Sequence, residues 1–97
     1  MDRMMIRYRV KPDELERHLE LLRDVYEELE STKPEGFRWA TFRINDETSF
    51  VDVVSGNGLP GPLPQLESFR RYRATLDDRC EGRAATELEE VGSYRFP

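Results

Sequence analysis

The alternation of apolar and polar positions divides the chain into six elements. Residues 4 to 10 place Met4, Ile6, Tyr8 and Val10 on one side and Met5, Arg7 and Arg9 on the other, the period of a strand with one buried face. Pro12, Asp13 and Glu14 then open a helix, because proline fits the first helical position and acidic groups complement the free amides there. Leu15, Leu19, Leu22, Tyr26 and Leu29 recur at helical spacing up to Thr32, ahead of Pro34 and Gly36. Residues 37 to 44 and 49 to 55 read as two strands joined at the polar cluster Asn45-Asp46-Glu47-Thr48, a hairpin. The segment 56 to 64 holds three glycines and three prolines and reads as an irregular loop. Leu66, Phe69, Tyr72, Leu76 and Cys80 mark a second helix closed around Gly82, and residues 84 to 96, with Leu88, Val91, Tyr94 and Phe96, read as a final strand. The order is βαββαβ, an α+β ferredoxin-like fold with a four-stranded antiparallel sheet and two helices on one face. At 97 residues, a single domain over 1–97 is expected.

The middle hairpin departs from this simple picture. A sheet with helices on one face should turn its other face to water and alternate cleanly. Instead Phe37 and Trp39 oppose Ala40, Phe42 and Ile44, and Phe50 and Val54 oppose Val51 and Val53. Apolar side chains therefore leave both sides of the hairpin, and a contiguous exposed apolar face marks an interaction surface. The expectation is a homodimer formed through the sheet; the alternative is that the first helix or the 56–64 loop wraps over the surplus.

Composition narrows the range of partners. Charged residues make up 36% of the chain with both signs interspersed, which describes a solvated surface, and the net charge of −5 argues against nucleic acid. The Arg70-Arg71-Tyr72-Arg73 cluster has no aromatic-rich strand of the RNA-binding kind beside it and reads as a solvated helix face. The one cysteine, Cys80, cannot form an internal disulfide, the first residues lack a secretory apolar stretch, and no run is long enough for a membrane span. A cytoplasmic protein with no membrane partner is expected.

With these elements in place, the chain resembles the dimeric α+β barrel superfamily, which includes antibiotic-biosynthesis-type monooxygenases and stress-responsive barrel proteins. The resemblance rests on the Pro12-Asp13-Glu14 helix opening, the strand Gly36-Phe37-Arg38-Trp39-Ala40-Thr41-Phe42-Arg43, the short hairpin, the loop Leu59-Pro60-Gly61-Pro62-Leu63-Pro64 and the run Glu87-Leu88-Glu89-Glu90-Val91-Gly92-Ser93-Tyr94. It implies two sheets packed face to face and a small ligand held between each sheet and its helices. It implies no particular activity, because one fold carries many. Haem-degrading members use a histidine on the second helix with an asparagine and a tryptophan. Only Trp39 is matched here, so no haem and no other cofactor is expected.

The residues that could carry chemistry are few. Gly56-x-Gly58-x-x-Gly61 satisfies the dinucleotide fingerprint, but Pro60, Pro62 and Pro64 delay the helix whose amides would have to meet a pyrophosphate, so it reads as a connector. His18 falls within the apolar stripe of the first helix and should face the sheet, as a base, a ligand-orienting group or a hydrogen-bonded structural histidine. Arg73 lies angularly between Leu66 and Cys80, apart from the solvated Arg70 and Arg71, either directed inward or snorkelling. Asp52 interrupts an apolar strand and needs a partner, which His18 or Arg73 would supply on the helix side. Together with Tyr8 and Trp39 these three form a candidate pocket for a small aromatic or acidic molecule; a structural salt bridge or a dimer contact is the alternative for Asp52. One histidine and one cysteine do not make a metal site. Cys80 reads as a small buried hydrophobe. Cofactor-independent oxidation of a polyphenol asks only for shape, exclusion of water and a nearby base, and stands beside a non-catalytic structural or interaction role with a side-chain-filled cavity.

Overall fold

The computed structural model describes residues 1–96. Its elements are β1 (Asp2–Val10), α1 (Leu15–Thr32), β2 (Arg38–Arg43), β3 (Ser49–Gly56), α2 (Glu67–Ala74), the one-turn α3 (Leu76–Arg79) and β4 (Cys80–Glu87). Short 3-10 turns at Pro12–Glu14 and Leu63–Gln65 precede α1 and α2. The four strands form one antiparallel sheet in the order β2-β3-β1-β4. This is the α+β ferredoxin-like arrangement expected from the pattern.

The registers align the buried faces. Ile6 pairs with Asp52 and Tyr8 with Phe50, while Trp39, Thr41 and Arg43 pair with Val54, Asp52 and Phe50. Because side chains alternate along a strand, these residues share the side that meets α1 and α2. There Val10, Leu21, Leu22, Val25, Phe50, Leu66, Tyr72 and Leu76 build the core. Burying each large apolar side chain contributes about 1.5–3 kcal/mol. α1 stops at Lys33, which adopts the left-handed conformation (φ 46°) and donates its amide to Leu29 O. Glu28 of α1 accepts hydrogen bonds from the amide and hydroxyl of Ser68, tying the start of α2 to α1. The β2–β3 turn closes on Asp46, whose carboxylate accepts from the amides of Thr48 and Ser49 and the hydroxyl of Ser49.

Two sequence expectations need correction. The second helix does not continue to Cys80: it ends at Ala74, Thr75 leaves the helical region (φ −115°, ψ 15°), and Cys80 begins β4 opposite Val10. An inward residue four after Leu76 suits a helical stripe and the first position of an inward-facing strand equally well, so the pattern could not separate the two. The last strand runs over Cys80–Glu87 and not 84–96. Met4 pairs with Glu87, and the Leu88 amide reaches Arg3 O, after which β1 is nearly used up as a pairing partner. Val91, Tyr94 and Phe96 accordingly lie exposed in an irregular tail.

The helix-free side of the sheet keeps the apolar residues read from the hairpin. Met5, Val51 and Val53 are half-buried and Ala40 and Phe42 exposed, Phe42 by 55%. Neither α1 nor the 56–64 loop reaches over Phe42. Among the described residues, no helix is long and apolar enough to cross a membrane.

Candidate functional site

Between the sheet and α2 lies a cavity of about 580 Å³, within the ~300–1,000 Å³ usual for small-molecule sites. Its floor comes from β1, β2 and β3 through Met4, Ile6, Tyr8, Trp39, Asp52 and Val54. Phe69, Tyr72 and Leu76 form the opposite wall, and Leu59, Pro60, Leu63 and Pro64 close one end. The proline-rich segment thus has a role: its sequence cannot enter the sheet or helix ladders, so it folds across the cavity. Gly61 (φ +60°) turns this segment against Phe37, whose Cδ1 would lie 3.2 Å from an added Cβ. Trp39, Phe69 and Tyr72 meet edge to face or tilted, with centroids 5.9–6.3 Å apart, giving the cavity an aromatic side.

The polar lining is small and asymmetric. Arg70, Arg73 and Arg83 are exposed and stand at the rim, whereas Asp52 is buried at the floor. Arg70 donates to Pro64 O (3.0 Å) and Arg73 lies 3.9 Å from Asp77. The protein is acidic overall, but this opening is lined by guanidinium groups.

Asp52 sits on the helix-covered face, and its partner is neither of those expected from sequence. Tyr8 Oη donates to Asp52 Oδ1 (3.2 Å). Burial pushes the carboxyl up to about 6, against hydrogen bonds from Thr41, Tyr8 and Trp39 that favour its charged form. The group is therefore a carboxylate at neutral pH that takes up a proton more readily than an exposed aspartate. Burial drives the Tyr8 and Tyr72 phenols upward, so both remain protonated.

His18 does face the sheet, but it lies behind Tyr8 and does not line the cavity. It is fully buried among Tyr8, Phe50 and Tyr72, with ring centroids 5.4–5.5 Å away. Its Nε2 is 3.4 Å from Tyr8 Oη, and its Nδ1 accepts from Arg79 Nε at 3.3 Å. Burial, helped by the Arg79 charge, lowers the imidazole to about 4 and keeps it neutral.

Arg73 is not the inward arginine. It occupies the last turn of α2 at the solvent edge, because that helix ends one residue later. Arg79 is the buried one, 1% exposed, and the sequence reading missed it. A signal was present: on the continuous helix expected up to Cys80, Arg79 follows Tyr72 by seven residues and falls on the same stripe. Tyr72, Thr41 and Arg83 were likewise not singled out, since nothing local separates a wall-forming tyrosine from a core one. Cys80 is buried 3.9 Å from His18 Nδ1, and burial pushes its thiol up, as suits a buried hydrophobe. Among the described residues, no cluster of three or more histidine, cysteine or acidic side chains could hold a metal ion.

No protein-family model matches the sequence, and no curated protein matches it. Solved structures do match in shape. A candidate antibiotic biosynthesis monooxygenase from Nitrosomonas europaea superposes with a TM-score of 0.75 at 21% identity, covering 95% of this chain and 100% of that one. A crystal structure described as an antibiotic biosynthesis monooxygenase gives 0.71 at 16% identity over 95% and 100% of the two chains. Rv0793 from Mycobacterium tuberculosis gives 0.74 at 16% identity over 95% and 96%. The likeness spans nearly the whole of each chain, and at these identities it is a likeness of fold: this protein has the ferredoxin-like architecture of structures described as antibiotic biosynthesis monooxygenases.

Proposed function

We propose that this protein is a homodimer that binds a small aromatic molecule with an acidic group in the cavity beneath α2, and oxidises it with molecular oxygen without a cofactor. The observation that carries the reading is Asp52, a buried carboxylate on the floor of an otherwise apolar, aromatic-walled cavity. Rings of the ligand would rest between Trp39, Phe69 and Tyr72, and an acidic substituent would meet the rim arginines. Asp52 would accept a proton from the electron-rich ring system, where exclusion of water strengthens every charge interaction. The resulting carbanion reduces oxygen directly: one oxygen atom replaces two hydrogens of a ring methylene as a carbonyl, and the other leaves as water. The structural neighbours named as monooxygenases support this class of chemistry. An open cavity counts against the alternative of a non-catalytic protein whose interior is filled by its own side chains.

The lone tryptophan supplies the test, since Trp39 lines the cavity. Hydroxylated two- and three-ring aromatic carboxylates that carry a ring methylene are expected to quench its fluorescence saturably and to support oxygen uptake. Uncharged analogues should bind more weakly, and oxygen uptake should be lost in Asp52→Asn while quenching remains. Failure of every such compound to change the emission would defeat the reading. The homodimer rests on the apolar helix-free face carrying Phe42, and the resemblance to face-to-face barrels supports it.

A further inference from the structure

Arg79, His18, Tyr8 and Asp52 are each at most 4% exposed, and successive members lie within hydrogen-bond distance. They come from α3, α1, β1 and β3, so the series crosses the whole thickness of the core. Among the described residues, no carboxylate forms an ion pair with Arg79. Its guanidinium is instead spent on neutral acceptors, namely Tyr72 O at 2.9 Å, Thr75 Oγ1 and His18 Nδ1, and it lies 5.1 Å from the centre of the Tyr72 ring.

The chemistry of the two ends fixes the direction of every bond between them. A guanidinium can only donate, so His18 Nδ1 must be bare, and a neutral imidazole then carries its proton on Nε2. An ionised carboxylate can only accept, so Tyr8 must donate to Asp52 and is left as an acceptor for His18. Both ends demand the same polarity. A second proton on His18 would point at Arg79 Nε, and no member can reverse without leaving a buried donor facing a donor.

We infer that Arg79, His18 and Tyr8 form a one-way hydrogen-bond chain that holds the Asp52 carboxylate in a single orientation at the cavity floor, which makes Arg79 and His18 positioning residues for a site that neither of them touches. The chain orients and does not conduct, because His18 stays neutral and Tyr8 keeps its proton over the physiological range. What Asp52 does once held rests on the proposed function; the polarity of the chain does not.

The groups facing Asp52 are Tyr8 on β1, Thr41 and Trp39 on β2, Tyr72 on α2 and Cys80 and Arg83 on β4, with Tyr26 of α1 bonded to Thr41 Oγ1 and His18 of α1 one hydroxyl away. Nitrogen-15 spectra of histidine in the free wild-type protein at pH 7 read the tautomer directly, and a proton on Nε2 is expected. Carbon-13 titration of Asp52 reads the far end. Tyr8→Phe removes a donor to the charged form and is expected to raise the midpoint by ~1 pH unit. Arg79→Met is also expected to raise it, and by less in the Tyr8→Phe background, where the charge effect persists but the chain is already cut. A proton on His18 Nδ1 in the wild type overturns the inference, as does an equal Arg79→Met effect in both backgrounds. If Arg79→Met does not fold, the wild-type tautomer and Tyr8→Phe still decide. Absence of ligand-dependent Trp39 quenching with these spectra as expected would count against the proposed function alone.

Discussion

At the residue scale, Asp52 and His18 place opposite demands on folding. Asp52 is raised from 3.8 to about 6, so between roughly pH 4 and 6 the folded chain keeps a proton that the unfolded chain has released. Its contribution to stability is full below that window and is lost as the pH rises through 6. His18 is lowered from 6.5 to about 4, so the unfolded chain binds a proton that the folded chain refuses. Its contribution is full above 6.5 and is lost as the pH falls. Each effect is on the order of 3 kcal/mol, and the two slopes offset each other where they overlap. Asp52→Asn keeps the acceptor for Tyr8 and removes the buried charge. It is expected to stabilise the protein at pH 7 by about 1–3 kcal/mol, a rise in Tm of several degrees for a chain of this size. It should also make stability fall more steeply between pH 6.5 and 4.5, since the His18 slope is then unopposed. Thermal denaturation followed by circular dichroism across that range checks both, and an Asp52→Asn protein that is less stable at pH 7 with an unchanged pH profile contradicts the account.

At the element scale, most boundaries followed from local chemistry. β1, α1 and the β2–β3 hairpin lie within three residues of where periodicity, Pro12 and the Asn45–Thr48 cluster put them. Each of these signals acts within a few residues of itself, which is why it is readable without knowing the rest of the fold. The end of α2 and the extent of β4 were not readable in this way, because both depend on where β1 offers a partner. The close of α1 gives a test of a purely local kind. Lys33 holds φ +46°, a conformation that is costly for a residue with a side chain and nearly free for glycine. Lys33→Gly is therefore expected to stabilise the protein by ~0.5–1 kcal/mol in urea denaturation, with no change in the slope of the transition. Destabilisation would mean that the lysine side chain contributes a contact worth more than the backbone strain.

At the scale of the whole molecule, the helix-free face of the sheet is the apolar surface that the subunit's own helices leave uncovered. Met5, Ala40, Phe42, Val51 and Val53 lie on it, and none belongs to the core cluster. A second copy packed on this face predicts that Phe42→Asp yields a monomer by sedimentation equilibrium at micromolar concentration, with the far-ultraviolet spectrum preserved because Phe42 supports no contact of the subunit's own core. A wild-type protein that already sediments as a monomer would refute the assembly. The apolar periods of the strands and α1, the acidic surface and the two-sided hairpin follow from the amino-acid order alone, because burial requirements are written residue by residue. Which buried polar groups meet was decided only by the tertiary structure. Tyr8 and Asp52 are 44 positions apart and His18 and Arg79 are 61, so the pairing depends on strand register and on how α3 turns back toward α1. Periodicity can say that a side chain points inward; it holds no information about what it will find there, and so Asp52 was legible as a residue needing a partner while Tyr8 was not legible as that partner, nor Arg79 as the partner of His18.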